Sequence, residues 1–305
     1  MATSDPASTG ASKSRDGFTD ILAPALFVAL WSTGWIAAGF SAPHADALTF
    51  LTVRYVLAAL CLAAFAWVAG ARWPDTPAAW AHACITGILM HAIYLGGVWW
   101  AVRHGVPAGI SGIIVALQPI LTAALATMLI GERVSALRWT GVLIGFVGLA
   151  LVLTPGLIGE TGTLAGLGLP LAINIIGMIA VTLGWFYQKR FIPTGDLRTV
   201  TTVQYIGAAV VTFPVALAFE DLAIAINMTT VLVMAWSVLA LSIGAIALLL
   251  VLIRRGAVSR AAALVYLVPP ATALQAWLFF DETLGPLQIL GVAITVVGVA
   301  LATRD

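Results

Sequence analysis

Leu117-Gln-Pro-Ile-Leu-Thr-Ala123, followed by Glu132, Gly141 and Gly148, is answered by Leu267-Val-Pro-Pro-Ala-Thr-Ala273, followed by Glu282, Gly291 and Gly298. The offset is 150 residues at every one of these matches, in a chain of 305. It also holds upstream, where Gly34-Trp35 returns as Gly184-Trp185 and Thr52-Val-Arg-Tyr55 returns as Thr202-Val-Gln-Tyr205. A period of half the chain means one structural unit present twice, and a functional centre is expected where the two copies meet.

The composition places both copies in a bilayer. Apolar residues make up 61% of the chain and charged ones 9%, with a mean hydropathy of +1.06, far from a soluble globular balance. The near-neutral formal charge of +1 gives no footprint for a nucleic acid. Cys61 and Cys84 both fall inside apolar runs, so neither a disulfide framework nor a zinc site is expected. No other metal site and no cofactor is called for. The tail to about Asp20 is polar. Ile21 to Phe40 has the look of a signal peptide, with Ala45-Asp46-Ala47 as a small-x-small site, but about 20 apolar residues are long for that purpose. Cleavage would also remove Gly34-Trp35, so this run is read as an uncleaved first span.

A helix needs about 20 apolar residues to cross the hydrocarbon core. On that measure ten spans are predicted, at 20–41, 46–70, 78–102, 105–128, 135–153, 168–190, 199–219, 229–253, 257–280 and 286–303. The domain reading is a tail at 1–19, a five-helix repeat at 20–153, a linker at 154–167 and a second five-helix repeat at 168–303. With a cytoplasmic N-terminus, Lys13, Arg15, Arg72, Arg133, Arg138, Lys189, Arg190, Arg198, Arg254, Arg255, Arg260 and Arg304 all fall inside. Only Arg103 falls outside, and Arg54 lies within a span. That is a strong positive-inside bias, and it puts both termini in the cytoplasm. Five is odd, so the second repeat enters the membrane inverted. Inverted repeats are the frame on which many secondary transporters alternate access.

With these residues in place the chain resembles the drug/metabolite transporter superfamily, and within it the ten-helix EamA-type exporters. The resemblance is carried by Trp31, Trp35, Arg54-Tyr55, Pro119, Ile130-Gly-Glu132 and the glycines that follow, and again by Pro269, Trp277, Glu282, Gly291 and Gly298. It is similar in particular to bacterial aromatic amino-acid exporters of the YddG type. This implies a bacterial inner-membrane exporter of small molecules, with a substrate and the bilayer as its partners. Nothing here specifies an oligomeric state. Asp281 departs from the pattern, standing where Gly131 sets a glycine in the first copy.

The polar groups within the spans suggest the site. His91 and Tyr94 lie one helical turn apart in the middle of the third span, and with Gln118, Ser242 and Tyr266 they are expected to form a substrate pocket. Pro119 and Pro269 kink helices that border it, because non-helical backbone is tolerated in a membrane only where it lines a cavity. Trp35 and Trp185 are expected at a gate or cavity wall, while Trp73, Trp80, Trp99, Trp100 and Trp139 read as interfacial anchors. Arg54 is expected to snorkel to the nearby surface, with carboxylate binding as its other role. Glu132 and Glu282 stand at helix ends, where each favours the dipole of the helix that follows it, with coupling as the alternative.

No acidic residue falls in mid-span, which disfavours a proton-driven exporter of cations, and a single Arg54 is not the basic cluster a phosphorylated substrate would need. Neutral or zwitterionic substrates with apolar side chains remain, moved by facilitated diffusion. The alternative is a proton-coupled exporter, in which His91 is the one mid-span group titrating near neutral pH. A remoter reading takes Gly109-Ile110-Ser111-Gly112 as an intramembrane serine protease motif with His91 as base, though small residues there also serve helix packing. No enzymatic activity is expected. Single cysteines at positions 132 and 282, in a cysteine-free background, should react with a membrane-impermeant maleimide from opposite sides; labelling from one side would remove the inverted repeat.

Overall fold

In the computed structural model of the chain, residues 26, 28–114, 118, 121, 122, 125, 135–158, 166–245, 247, 248 and 268–302 are described. Ten helical stretches cover them, and no β-strand is present among the described residues. The first repeat contributes α1 (residues 28–41), α2 (Ala47–Val68), α3 (Pro77–Arg103), α4 (Ala108–Ile114) and α5 (Ala136–Ile158). The second contributes α6 (Gly168–Phe191), α7 (Leu197–Phe219), α8 (Met228–Gly244), α9 (Val268–Phe280) and α10 (Pro286–Ala302). By length and composition α2, α3, α6 and α7 can each cross a membrane. The described parts of α4 and α9 are complementary pieces of the two repeat-related helices.

Helices start where the sequence offers a cap. Thr76 accepts from the Ala79 amide with Pro77 at the first helical position, and Asn227 accepts from Thr230. α2 and α7 share the pattern Asp-x-x-Thr, at Asp46/Thr49 and Asp196/Thr199. Asp196 caps its own helix by accepting from Arg198 N. Asp46 instead accepts from the Ala223 amide across the bundle at 2.9 Å. The first amides of α2 are taken by Glu220, which accepts from Leu48 N and Thr49 N, both at 2.8 Å.

These contacts set direction. The start of α2 meets the end of α7, and the start of α7 meets the end of α2, where the Thr199 hydroxyl donates to the Arg72 carbonyl at 2.7 Å. Repeat-mates α2 and α7 therefore run antiparallel. α5 and α10 do the same, with backbones almost in contact. A Cβ on Gly148 would stand 2.5 Å from Thr295 N, one on Gly291 would stand 2.7 Å from Gly148 O, and Gly298 lies against Gly141 and Gly145. Gly148 against Gly291 and Gly141 against Gly298 are one contact and its two-fold copy. The glycines that recur at the 150-residue offset are thus the surfaces through which the repeats embrace. In a bilayer, where water does not drive helices together, close backbone approach between small residues is a main source of association.

Asp281 resolves the departure in the second copy of the turn. It adopts φ 55°, the left-handed region where glycine is at ease and aspartate is tolerated. Asp281 is thus a strained residue in a conformation suited to glycine. Asp281→Gly should leave the thermal unfolding midpoint unchanged or raise it, whereas Asp281→Val should cost about 1–2 kcal/mol. Gly148→Leu should cost about 1–3 kcal/mol or more by forcing α5 from α10, read by thermal unfolding in detergent against wild type.

A candidate substrate cavity between the repeats

The helices α3 and α8 are repeat-mates, and each changes from α to π winding at the same place. The π segments are Ile88–Ile93 and Trp236–Gly244, which overlap at the 150-residue offset. π turns are frequent at functional sites, and their wider coil offers backbone groups to neighbours. Here the His91 carbonyl accepts from the Tyr55 hydroxyl at 2.8 Å. Tyr55 stacks on its repeat-mate Tyr205, 5.7 Å between ring centres, and Tyr205 stacks on the His91 ring at 4.5 Å. Because Tyr55 and Tyr205 are repeat-mates in direct contact, the pseudo-two-fold axis passes between them.

Next to this stack lies a cavity of about 120 Å³, lined from both repeats by Trp31, Gly34, Trp35, Arg54, Met90, His91, Tyr94, Leu95, Val98, Trp99, Val181, Trp185, Tyr205, Leu241 and Ala245. Six tryptophans and tyrosines stand in its wall among aliphatic side chains, and no Asp or Glu is among the lining residues described. The volume suits one compact solute rather than a drug-sized ligand.

Arg54 sits in this wall at 4% exposure, so its guanidinium does not snorkel to the surface as the sequence led one to expect. Its Nε has no hydrogen-bond partner, and no ion pair involves it among the described residues. Among the described residues its favourable neighbour is the Trp99 ring, 5.8 Å away. A desolvated cation–π contact is worth about 2 kcal/mol, against a penalty of several kcal/mol for burying an unpaired charge. The balance is unfavourable until an acceptor arrives. Trp35 Nε1 is also buried without a partner, and neither His91 ring nitrogen makes a well-formed hydrogen bond, although Gln204 lies beside it.

Of the residues singled out from the sequence, the fold brings His91, Tyr94, Trp35, Trp185 and Arg54 to one cavity. Ser242 stands behind the wall, accepting from the Tyr205 hydroxyl at 2.9 Å and donating to the Ser237 carbonyl. Pro269 is buried near the start of the described part of α9 but does not line the cavity. Gln118 is likewise not among the lining residues, and its carbonyl accepts from Thr122. Pro119, Glu132 and Tyr266 lie outside the described residues. Trp99 is a correction: it is not an interfacial anchor but 2% exposed, stacked on Phe50 at 5.0 Å and facing Arg54. Tyr205 enters the site without a sequence expectation of its own, and its repeat match to Tyr55 is the signal that points to it.

Glu282 is a second correction. It does not serve the helix that follows it in sequence; its carboxylate accepts from Ala108 N at 2.9 Å and Gly109 N at 2.8 Å. It therefore fastens the start of α4, in the first repeat, to the end of α9, in the second. Phe40 packs edge-on against Phe279 and tilted against Phe280 nearby, holding α1 to α9 at the same end. Ser111 is occupied by a hydrogen bond from Asn174 at 2.6 Å, while the His91 ring lies on Tyr205. No nucleophile–base pair exists there, and Gly112 serves close packing on Thr272.

A wider groove of about 950 Å³ lies across α3 from the cavity, lined by Ala92, Ile93, Gly96, Gly97 and the charged groups Asp46, Arg103, Glu220 and Asp221. Asp46 and Glu220 are already committed to backbone amides. The smaller cavity, with unpaired groups between the repeats, is the better site.

Comparison with known proteins agrees with this architecture. The chain is 27% identical to the "Uncharacterized inner membrane transporter YedA" of Escherichia coli (strain K12) over 281 residues, covering 92% of this chain and 88% of that one. It is 22% identical to a "Probable amino-acid metabolite efflux pump" of Salmonella typhimurium, covering 93% of each. A solved crystal structure superposes with a TM-score of 0.65 at 19% identity, covering 94% of this chain and 96% of that one, and shares the fold. Residues 18–154 and 167–304 each match the family described as EamA-like transporters. With both repeats matched over nearly their full length, this chain belongs to the EamA-like transporter family and is a membrane transporter rather than an enzyme.

Proposed function

We propose that the protein exports aromatic and other apolar neutral amino acids, and similar small metabolites, across a bacterial inner membrane. Both termini are cytoplasmic in this reading, following the count of basic residues on the two sides. Transport proceeds by alternating access, as the two inverted repeats rock about the Tyr55–Tyr205 contact. Movement is downhill, without obligatory proton coupling. The observation that carries the proposal is the cavity between the repeats, into whose wall Trp35, Tyr94, Trp99, Trp185 and Tyr205 bring ring surface, with no carboxylate among its described lining residues. Such walls suit planar or apolar side chains, and they offer no acid to exchange a proton for a cation. The name of the Salmonella relative, an amino-acid metabolite efflux pump, points to the same substrate class.

The test is flux through purified protein in liposomes. Phenylalanine and tryptophan should equilibrate down their gradients, and an imposed pH gradient should produce no accumulation. Accumulation that a protonophore collapses would overturn the facilitator and favour coupling, with His91 as the proton carrier. Absence of flux for every aromatic amino acid would overturn the substrate class. Trp35→Ala and Tyr94→Ala should each weaken half-saturation by roughly two- to tenfold, the worth of one aromatic contact.

A further inference from the structure

We infer that Arg54 is a carboxylate anchor, and that the cavity accepts aromatic carboxylates whether or not they carry an amino group. This rests on the cavity being the substrate site, and it sharpens what that site selects.

The groups left unpaired around the cavity are chiefly donors. Arg54 Nε and Trp35 Nε1 are buried with no acceptor, and the His91 ring, with neither nitrogen partnered, adds at least one more N–H. A carboxylate supplies what is missing: about four lone-pair positions and one negative charge, in a plane that the guanidinium fork can meet with two parallel hydrogen bonds. The remaining wall is ring surface from Tyr94, Trp99, Trp185 and Tyr205, which fits an aryl group. For the ammonium of an amino acid there is no carboxylate among the described lining residues. Binding therefore does not demand the amino group, and an amine without a carboxylate meets Arg54 with like charge.

The repeat supplies an internal control. The position equivalent to Arg54 in the second copy is Gln204, which is satisfied by donating to Gln188 at 3.0 Å. The fold accommodates a neutral, hydrogen-bonded side chain at this place on the helix. Helix packing alone gives no reason for the first copy to carry a buried charge without a counter-charge, and ligand binding does.

The experiment uses the full-length protein in liposomes and in detergent. Uptake of labelled phenylalanine is competed with 3-phenylpropionate, which lacks only the amino group, and with phenethylamine, which lacks only the carboxylate; direct binding of both is followed by tryptophan fluorescence. We expect 3-phenylpropionate to compete at concentrations similar to phenylalanine itself, and phenethylamine not to compete. Arg54→Gln should weaken both carboxylates roughly ten- to a hundredfold, as loss of charge-assisted hydrogen bonds implies. Its thermal unfolding midpoint without ligand should stay level or rise, because an unpaired buried charge has been removed. A structural role predicts the opposite: a lower midpoint with unchanged affinity. Should Arg54→Gln not fold, Arg54→Lys decides, since it keeps the charge and loses the fork; weaker carboxylate binding supports the anchor and unchanged binding overturns it. If phenylalanine is transported but phenethylamine competes and 3-phenylpropionate does not, the anchor fails while the amino-acid exporter stands. If phenylalanine is not transported but 3-phenylpropionate binds through Arg54, the anchor stands and the amino-acid reading falls.

Discussion

Antiparallel packing of repeat-mate helices is the constraint from which the rest of the structure follows. α5 lies on α10 with Gly148 against Gly291 and Gly141 against Gly298, and α2 lies on α7 with Tyr55 stacked on Tyr205. Lipid tails are as apolar as leucine, so helices here gain little by hiding apolar surface from one another. They gain by bringing backbones close and by leaving no polar group unsatisfied. The glycines achieve the first. The second falls to carboxylates that cross between the halves: Glu220 holds the first amides of α2, and Glu282 those of α4.

Once the repeats are clasped at α5–α10 and α2–α7, the helices α3 and α8 are placed on either side of the axis. Their π segments, Ile88–Ile93 and Trp236–Gly244, are where the tight packing gives way. His91 and Tyr94 face a cavity on one side of α3, and Ala92, Ile93 and the two glycines after them border the groove on the other. One irregular helix thus separates two spaces, a position from which a small change in winding would alter both.

The polar accounting around the cavity differs in kind from that of the other described residues. Elsewhere the buried atoms without a partner among the described residues are single oxygens, on Asn174, Thr212, Ser237, Thr272 and Gln275, while many hydroxyls return to helix carbonyls, as Thr182 does to Met178. At the cavity a guanidinium, an indole and an imidazole are buried with donors unmet. Unsatisfied buried groups are costly, and at the cavity three side chains that carry N–H donors lie together without acceptors. The asymmetry of Arg54 against Gln204 shows where the two copies, alike in packing, have diverged in chemistry.

Much of this was legible from residue order alone. Hydropathy, the 150-residue offset and an odd number of spans per copy determine an inverted ten-helix repeat, because each depends on composition and period rather than on contacts. His91 and Tyr94 were legible as neighbours, since one helical turn is a local property. The partners of Glu282 and Trp99 were not. A carboxylate at a helix end has two helices within reach, and an aromatic near a span's end reads as interfacial until its depth is known. Arg54 differs for the same reason: reach along the chain suggests snorkelling, whereas only the packing of α2 against α3 and α7 encloses the guanidinium. Period, hydropathy and charge bias are carried by the sequence; which donors are left without acceptors is decided by the tertiary structure, because it depends on every neighbour at once.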